Sequence, residues 1–469
     1  MTAPHPGRST LRMLSVALSL SAVAAAGFGA QTAAARSVSP ASAMKRLERI
    51  VQERVDSERS TGIVAGMLFP DGSTRLVAYG DAGEGKRLDE RSVFEIGSIT
   101  KTFTGTLLAQ MAQRGEVRLT DPVASLLPAG VSVPSRGGRQ ITLVDLATHT
   151  SGLPRMPTNH QPKDPSNPDA DYTLTRDPGS QYEYSNLGVG LLAHALALRA
   201  RESYEQLVRE RILEPLHMPS TSITLTADMA RHFATGHYTR GRIAPYIDLP
   251  TLAGAGALRS TIIDMLSFAA ANLDDHGDEL RQAMAAAHLP RHRIDPEMQI
   301  GLNWHILRVG DRDIVWHNGG TPGFSTFIGL DEERDTAIVV LSNTSATNVD
   351  DIGFHLLDKR LPLEPAPSKR RQIMLPSKVL ARYVGIYDVA GTNVTITRSA
   401  QGLTAHVPDQ GTVRLYAETK TKFFLTVPDA QFFLGAVDAD ITFQLDSEAT
   451  VTGFILRQDG QEIPIKKIG

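Results

Sequence analysis

The chain has 469 residues, 41% hydrophobic and 21% charged, the balance of a soluble globular protein with room for more than one domain. Its 48 Lys and Arg against 51 Asp and Glu leave a net charge of -3, and aromatics are only 6%, so nothing points to nucleic acid or an anionic membrane surface as a partner. Cysteine is absent, which excludes disulfides, thiolate metal sites, thiol nucleophiles and lipid attachment through Cys.

Residues 1–35 read as a secretory signal peptide. Arg8 and Arg12 precede the apolar stretch "MLSVALSLSAVAAAGFG", and the small residues Ala33 and Ala35 occupy cleavage-site positions. This predicts an exported protein, periplasmic or extracellular, with no membrane-spanning segment once the leader is removed.

"MKRLERIVQERVDS", from Met44, carries Met44, Leu47, Ile50, Val51 and Val55 at helical spacing and predicts a helix. In "TGIVAGMLFPDGSTRLVAYGDA" two β-type runs flank Pro70-Asp71-Gly72, which predicts a hairpin. "VFEIGSITKTFTGTLLAQMAQRG", from Val93, reads as a long helix on the repeat of Ile99, Phe103, Leu107, Leu108 and Met111, with Gly115 as its stop. Residues 154–181 are rich in Pro, Asp and Asn and form a long loop, either functional or a solvated insertion. "LGVGLLAHALALRARESYEQLVRERI" reads as two helical runs. "RDIVWH", "STFIGL" and "TAIVVLS" then read as three successive strands. Helices separate early strands from late ones, so the sheet gathers distant strands and is mostly antiparallel, covered by helices.

Residues 362–376 read as a proline-rich basic linker, with Lys369-Arg370-Arg371 solvated. From 377 to 469 the pattern becomes short alternating runs: "YVGIY", "NVTITR", "LTAHV", "VRLYAE", "KFFLTV", "QFFLG", "DITFQL", "VTGFILRQ" and "EIPIKK". Their regular spacing predicts a small all-β sandwich or barrel of about eight strands.

Three motifs carry chemistry. Ser98 and Lys101 are one helical turn apart, so hydroxyl and amine share a face. Serine needs a partner to take its proton, and a lysine serves once burial or nearby positive charge lowers its pKa. The helix start adds free N–H groups suited to an oxyanion beside Ser98. "YEYSNLG" follows: Tyr184 can relay a proton beside a lysine, and the Asn186 amide can donate to a substrate carbonyl and accept from the lysine. "IVWHNGGTPGF" places His317 at the end of a strand run, before Gly319 and Gly320, which permit close backbone approach to a ligand. "HLPRH" has His288 and His292 at i, i+4, but Pro290 interrupts it and no third ligand is evident, so it reads as a loop. "DPSNPDADY" lacks the calcium-loop pattern. No metal or cofactor is expected.

Ser98-Ile99-Thr100-Lys101, Tyr184-Ser185-Asn186 and His317-Asn318-Gly319, in this order, resemble the serine β-lactamase and penicillin-binding protein superfamily. The Tyr-x-Asn form is similar to the branch of class C β-lactamases, D,D-peptidases and family VIII esterases. "LATHTSGLP", "GSQYEYSNLGVGLLAHAL", "LAGAGALRSTIIDMLSFAAANL" and "HNGGTPGFSTFIGLDEERDTAIVVLSN" match too. The resemblance implies an α/β domain over 41–361, with an antiparallel sheet flanked by helices, an all-helical subdomain, and the site in the cleft between them. It implies Ser98 as acylated nucleophile, Lys101 and Tyr184 as its proton-transfer pair, Asn186 as substrate holder, and the N–H groups of Ser98 and Gly320 as the oxyanion hole. The C-terminal region resembles the lipocalin-like domain of some members. His317 stands where many members have lysine, which removes a permanent charge for a substrate carboxylate.

The expected function is serine hydrolysis of an ester, amide or small peptide bond, on a small-molecule, peptide or peptidoglycan-derived substrate. Two other readings are a penicillin- or wall-fragment-binding protein that does not turn over, and a chain whose β domain is the main partner-binding element. Substrate and oligomeric state do not follow from the sequence.

Overall fold

The computed structural model describes residues 39–157, 172–238, 242–246, 248–274, 277–345, 347–364, 372–389, 392–399, 402–407, 411–426, 439–458 and 461–469. Residues 1–38, which contain the expected leader, half of the 154–181 loop with nearly all of its acidic stretch, the middle of the linker and the run "QFFLG" lie outside them. The chain divides into one compact unit over Ser37–Pro365 and a second that includes Ala366–Gly469.

The first unit is built on a nine-stranded sheet in which every described pairing is antiparallel. Its order is Lys86–Arg87, Thr74–Gly83, Gly62–Leu68, Thr336–Ser342, Phe324–Asp331, Arg312–Thr321, His305–Val309, Met298–Ile300, His292–Arg293. The predicted hairpin forms, with Gly72 at φ +76 in its turn. Its first strand, buried at every position, then pairs across the chain, Ile63 opposite Ser342 and Leu68 opposite Ala337. A strand buried on both faces reads as a continuous apolar run, which is what "GIVAGML" is.

Alternation along the central strands feeds two cores. Val64, Leu68, Val339 and Leu341 face the larger core under the helices Thr100–Gln113, Ile262–Leu273 and Glu279–His288. Ile63, Ala65, Met67, Ile338 and Val340 face a second core under Pro40–Asp56 and Asp350–Leu357. Buried Arg54 ties these two helices together through Asp351, and buried Arg312 bonds both Asp331 and Asp358. The first helix begins at Pro40 rather than Met44, because Ser39 caps it and proline suits its first turn.

Thr100–Gln113 is buried from Thr100 to Met111, so its apolar periodicity under-reports its burial. The four threonines that interrupt the pattern are buried hydroxyls. Thr102 and Thr106 bond back to the carbonyls of Ile99 and Thr102, and Thr104 donates to Gly254. Around this helix lie Leu143–Ala147, Asn186–Ala200 and Tyr204–Val208, with a small hairpin, Ser135–Arg136 and Arg139–Gln140. "HLPRH" is not a loop throughout. His288 ends a helix and bonds Glu332 and Asn272 at 2.6 and 3.0 Å, while His292 opens an edge strand. That edge, and the strands Met298–Ile300 and His305–Val309, were too short or too mixed to read from the sequence.

The second unit is a closed barrel of eight antiparallel strands, each paired with the next. They are Gly385–Val389, Thr392–Ser399, Gly402–Val407, Gly411–Ala417, Lys422–Thr426, Ala439–Leu445, Val451–Gln458 and Gln461–Lys467. Closure pairs Tyr387 with Lys467 and Asp388 with Lys466. The core includes Tyr383, Tyr387, Leu403, Phe423, Phe443 and Phe454. Tyr383 stacks on Phe443 with ring centroids 4.3 Å apart, and its hydroxyl donates to the Lys420 carbonyl at 2.5 Å. Among the described residues no helix is long and apolar enough to cross a membrane.

Candidate active site

Ser98 lies in a single 3-10 turn, Gly97–Ile99, that runs straight into the helix Thr100–Gln113. The turn is possible because Gly97 adopts φ +51, and a Cβ there would stand 2.8 Å from the Gly320 nitrogen. The third-motif strand is pressed equally close. A Cβ on Gly319 would fall 2.0 Å from the Ile96 carbonyl oxygen and 2.3 Å from Thr326 Oγ1. Beside Gly320 there is open space. The sequence assigns both glycines to ligand approach; the structure separates them, Gly319 admitting the protein's own backbone and Gly320 facing room.

Lys101 is fully buried and donates to Ser98 Oγ at 2.9 Å and to the Ala255 carbonyl at 2.6 Å. Burial, reinforced by the Arg155 charge, pushes its pKa well below the usual lysine range. Burial pushes the Tyr184 phenol up to about 12, with the nearby Ser98 hydroxyl and Arg155 pulling the other way. Its ring centroid is 4.8 Å from Lys101 Nζ. Ser98 therefore meets an amine and a phenol at once and keeps partial solvent exposure. That set can take a proton from the serine hydroxyl and return one to a leaving group.

Tyr184 is held by its neighbours in sequence. Ser185 caps Asn186–Ala200 by accepting from Gly188 N at 2.8 Å, and its hydroxyl donates to the Pro154 carbonyl at 2.7 Å. The Asn186 backbone N–H donates to the Arg155 carbonyl at 2.9 Å. The Asn186 side chain departs from expectation. Its amide donates to Met156 Sδ at 3.5 Å rather than engaging Lys101, whose hydrogen bonds go to Ser98 and Ala255.

His317 lies on Arg312–Thr321 opposite Ile328, fully buried. Its Nδ1 donates to the Asn318 carbonyl at 2.6 Å, leaving Nε2 as an acceptor with no partner among the described residues. Burial, His305 and Lys101 hold its pKa well below the ordinary histidine value. The Asn318 side chain anchors the strand by donating to Asp350 at 2.5 Å.

Four residues the sequence reading left without a role join the site. His149, at φ +57, accepts from the Ser185 N–H on Nδ1 at 3.1 Å, and its ring lies 4.4 Å from that of Tyr184. His305 bonds the Tyr182 hydroxyl at 3.1 Å, and burial, followed by the Lys101 charge, pulls its pKa to about 4. Arg155 sets its guanidinium carbon 5.1 Å from the Tyr184 ring centroid. Ala255 supplies the carbonyl that receives Lys101. His149 and Ala255 stood inside quoted segments, but a backbone acceptor and a histidine so far along the chain from any motif carry no local signal.

With this geometry in hand, comparison with known proteins decides the family. The beta-lactamase family profile matches residues 47–357. The chain belongs to the beta-lactamase family. It is a serine hydrolase of the beta-lactamase and penicillin-binding-protein type, followed over residues 369–467 by a match to "Domain of unknown function (DUF3471)". The D-alanyl-D-alanine-carboxypeptidase/endopeptidase AmpH of Escherichia coli K12 is 31% identical over 313 residues, 60% of this chain and 80% of the relative. Penicillin-binding protein 4* of Bacillus subtilis is 25% identical over 421 residues, 82% of this chain and 89% of the relative. The fold is that of a class C beta-lactamase, TM-score 0.60 at 21% identity over 70% of this chain and 99% of that one. The D-alanine carboxypeptidase AmpC of Burkholderia cenocepacia also superposes, TM-score 0.60 at 22% identity, covering 68% of this chain and all of that one.

Proposed function

We propose that the protein is an exported hydrolase that cleaves an ester, amide or small peptide bond through an acyl-enzyme on Ser98, with peptidoglycan-derived peptides as the natural substrate class. One observation carries the reading: the Lys101 amine, fully buried, donates to the Ser98 hydroxyl at 2.9 Å, with its Nζ 4.8 Å from the Tyr184 ring centroid. The neutral amine, favoured by burial, takes the Ser98 proton as Oγ attacks the carbonyl carbon; Tyr184 passes a proton to the leaving group. The N–H groups of Ser98 and Gly320 would receive the developing oxyanion, a role favoured by the contact between the Gly97 turn and the Gly320 backbone. Asn186 and His317 would flank the substrate, His317 through its Nε2 acceptor. The same pair then activates water to release the acyl group. The peptide substrate class rests on AmpH, whose name is that of a D-alanyl-D-alanine carboxypeptidase; export rests on the leader-like residues 1–35.

The test is a panel of p-nitrophenyl esters, a fluorescent penicillin and D-alanyl-D-alanine peptides on the wild type and on Ser98→Ala. Turnover lost in the variant supports the reading. Turnover retained in it contradicts the nucleophile, and stable acylation without release across the panel favours a binding protein instead.

A further inference from the structure

The helix Leu143–Ala147 ends in a Schellman turn: the Thr150 N–H donates to the Asp145 carbonyl at 2.8 Å, and the His149 N–H to the Leu146 carbonyl at 3.4 Å. The middle residue of such a turn takes left-handed backbone and is usually Gly, sometimes Asn. Here it is His149, at φ +57 and buried. A histidine costs more than a glycine in that conformation, so its surroundings must hold it there. Its carbonyl accepts from the Glu183 N–H at 2.8 Å, and its Nδ1 accepts from the Ser185 N–H at 3.1 Å. One residue thus grips the chain immediately before and immediately after Tyr184. Ser185 is extended, φ -133 and ψ 111, and the imidazole takes the place of a second backbone carbonyl. The imidazole ring also lies 4.4 Å from the Tyr184 ring, tilted by 32°. Accepting on Nδ1 puts the proton on Nε2, which bonds nothing among the described residues, so the side-chain half of the grip is Nδ1 alone. Burial first, then Lys101, His305, His317 and Arg155, hold the His149 pKa well below the ordinary histidine value, which keeps the Nδ1 lone pair free to accept.

We propose that His149 is the positioning residue for Tyr184: its carbonyl and its Nδ1 clamp residues 183 and 185, and so hold the phenol in line for proton transfer beside Ser98 and Lys101. The inference rests on the serine hydrolase reading and deepens it, naming what aligns the group that protonates the leaving group. The clamp is mounted on a hydrogen-bonded helix end, and the Ser185 it holds also caps the Asn186–Ala200 helix. Without the Nδ1 acceptor a buried Ser185 N–H loses its partner, and the 183–185 segment is free to shift toward another one. A proton donor displaced by a fraction of its reach slows the chemical step far more than it weakens substrate binding.

The experiment uses two esters of one acyl group. One releases p-nitrophenolate, which leaves without a proton; the other releases an alkyl alcohol, which must receive one. His149→Asn sets Oδ1 where histidine carries Nδ1 and tolerates the left-handed backbone, whereas His149→Gln sets its oxygen one bond farther out. In His149→Gln, kcat/KM on the alkyl ester is expected to fall ~10–100-fold, the scale of a misplaced catalytic group, and to fall less on the p-nitrophenyl ester. His149→Asn should stay near wild type on both. Added to Tyr184→Phe, His149→Gln should change neither rate further, because its effect runs through the missing phenol. A merely structural loss would lower both esters alike and would add to Tyr184→Phe. Either of those results, or a His149→Gln as active as wild type, overturns the proposal. Thermal melts check that each variant folds. Should His149→Gln not fold, His149→Asn decides: activity kept supports the clamp, and activity lost in a folded protein overturns it. Wild type that turns over neither ester contradicts the hydrolase reading beneath it, and the proposal with it.

Discussion

The two units treat buried polarity in opposite ways. In the barrel the buried tyrosines are satisfied by backbone, Tyr383 by the Lys420 carbonyl and Tyr387 by the Tyr383 carbonyl at 2.8 Å, inside a wall of phenylalanines. Around Ser98, buried groups are left with spare capacity: His149 Nε2, His305 Nδ1 and His317 Nε2 have no partner among the described residues. An unpaired buried polar atom costs stability, so three of them gathered on histidines around one serine call for an explanation. The barrel's buried tyrosines are satisfied within the barrel, whereas the Ser98 region holds unspent donors and acceptors.

That contrast breaks first at Lys101. Lys101→Ala is expected to lower kcat/KM by ~10²–10⁴-fold, the scale of general-base assistance; unimpaired turnover would remove the mechanism. The lysine also gives the first unit a pH signature. Its folded pKa is depressed, so between that value and about 10.4 the unfolded chain binds the extra proton and stability rises with pH. Lys101→Met should flatten that rise in denaturant titrations across the window. On the barrel side, Phe443→Ala removes a ring that packs on Tyr383, Tyr387, Phe423 and Phe454, and should cost about 3–5 kcal/mol of barrel stability. Calorimetry and labelling at Ser98 together check it; a slower labelling rate would tie the barrel to catalysis and blur the contrast. The smallest effect separates the two glycines. Gly319→Ala, forced against Ile96, should lower the Tm of the first unit by ~2–6 °C, while Gly320→Ala, with open space, should not shift it.

Most of the fold was legible because its elements advertise themselves. "TAIVVLS" and "GIVAGML" are continuous apolar runs, and eight of nine alternating runs near the C-terminus coincide with barrel strands, the ninth lying outside the described residues. Short strands such as Met298–Ile300 were not, since three residues show no period. In the site, Ser98, Lys101 and Tyr184 were found by spacing within motifs. Arg155 and His305 were not, because what recruits them is tertiary: a helix start that fixes Arg155 and a sheet register that sets His305 opposite Trp316. The Asn186 contact with Met156 was equally invisible, since nothing local says which way an amide turns.

The central claim is that Ser98 is the residue activated by Lys101 and Tyr184. Intact-mass analysis with peptide mapping after exposure to a fluorophosphonate reads it directly. The account predicts one adduct per chain, on the peptide that carries Ser98, forming faster as pH rises and lost in Ser98→Ala. An adduct on another serine, or an undiminished one in that variant, would contradict it.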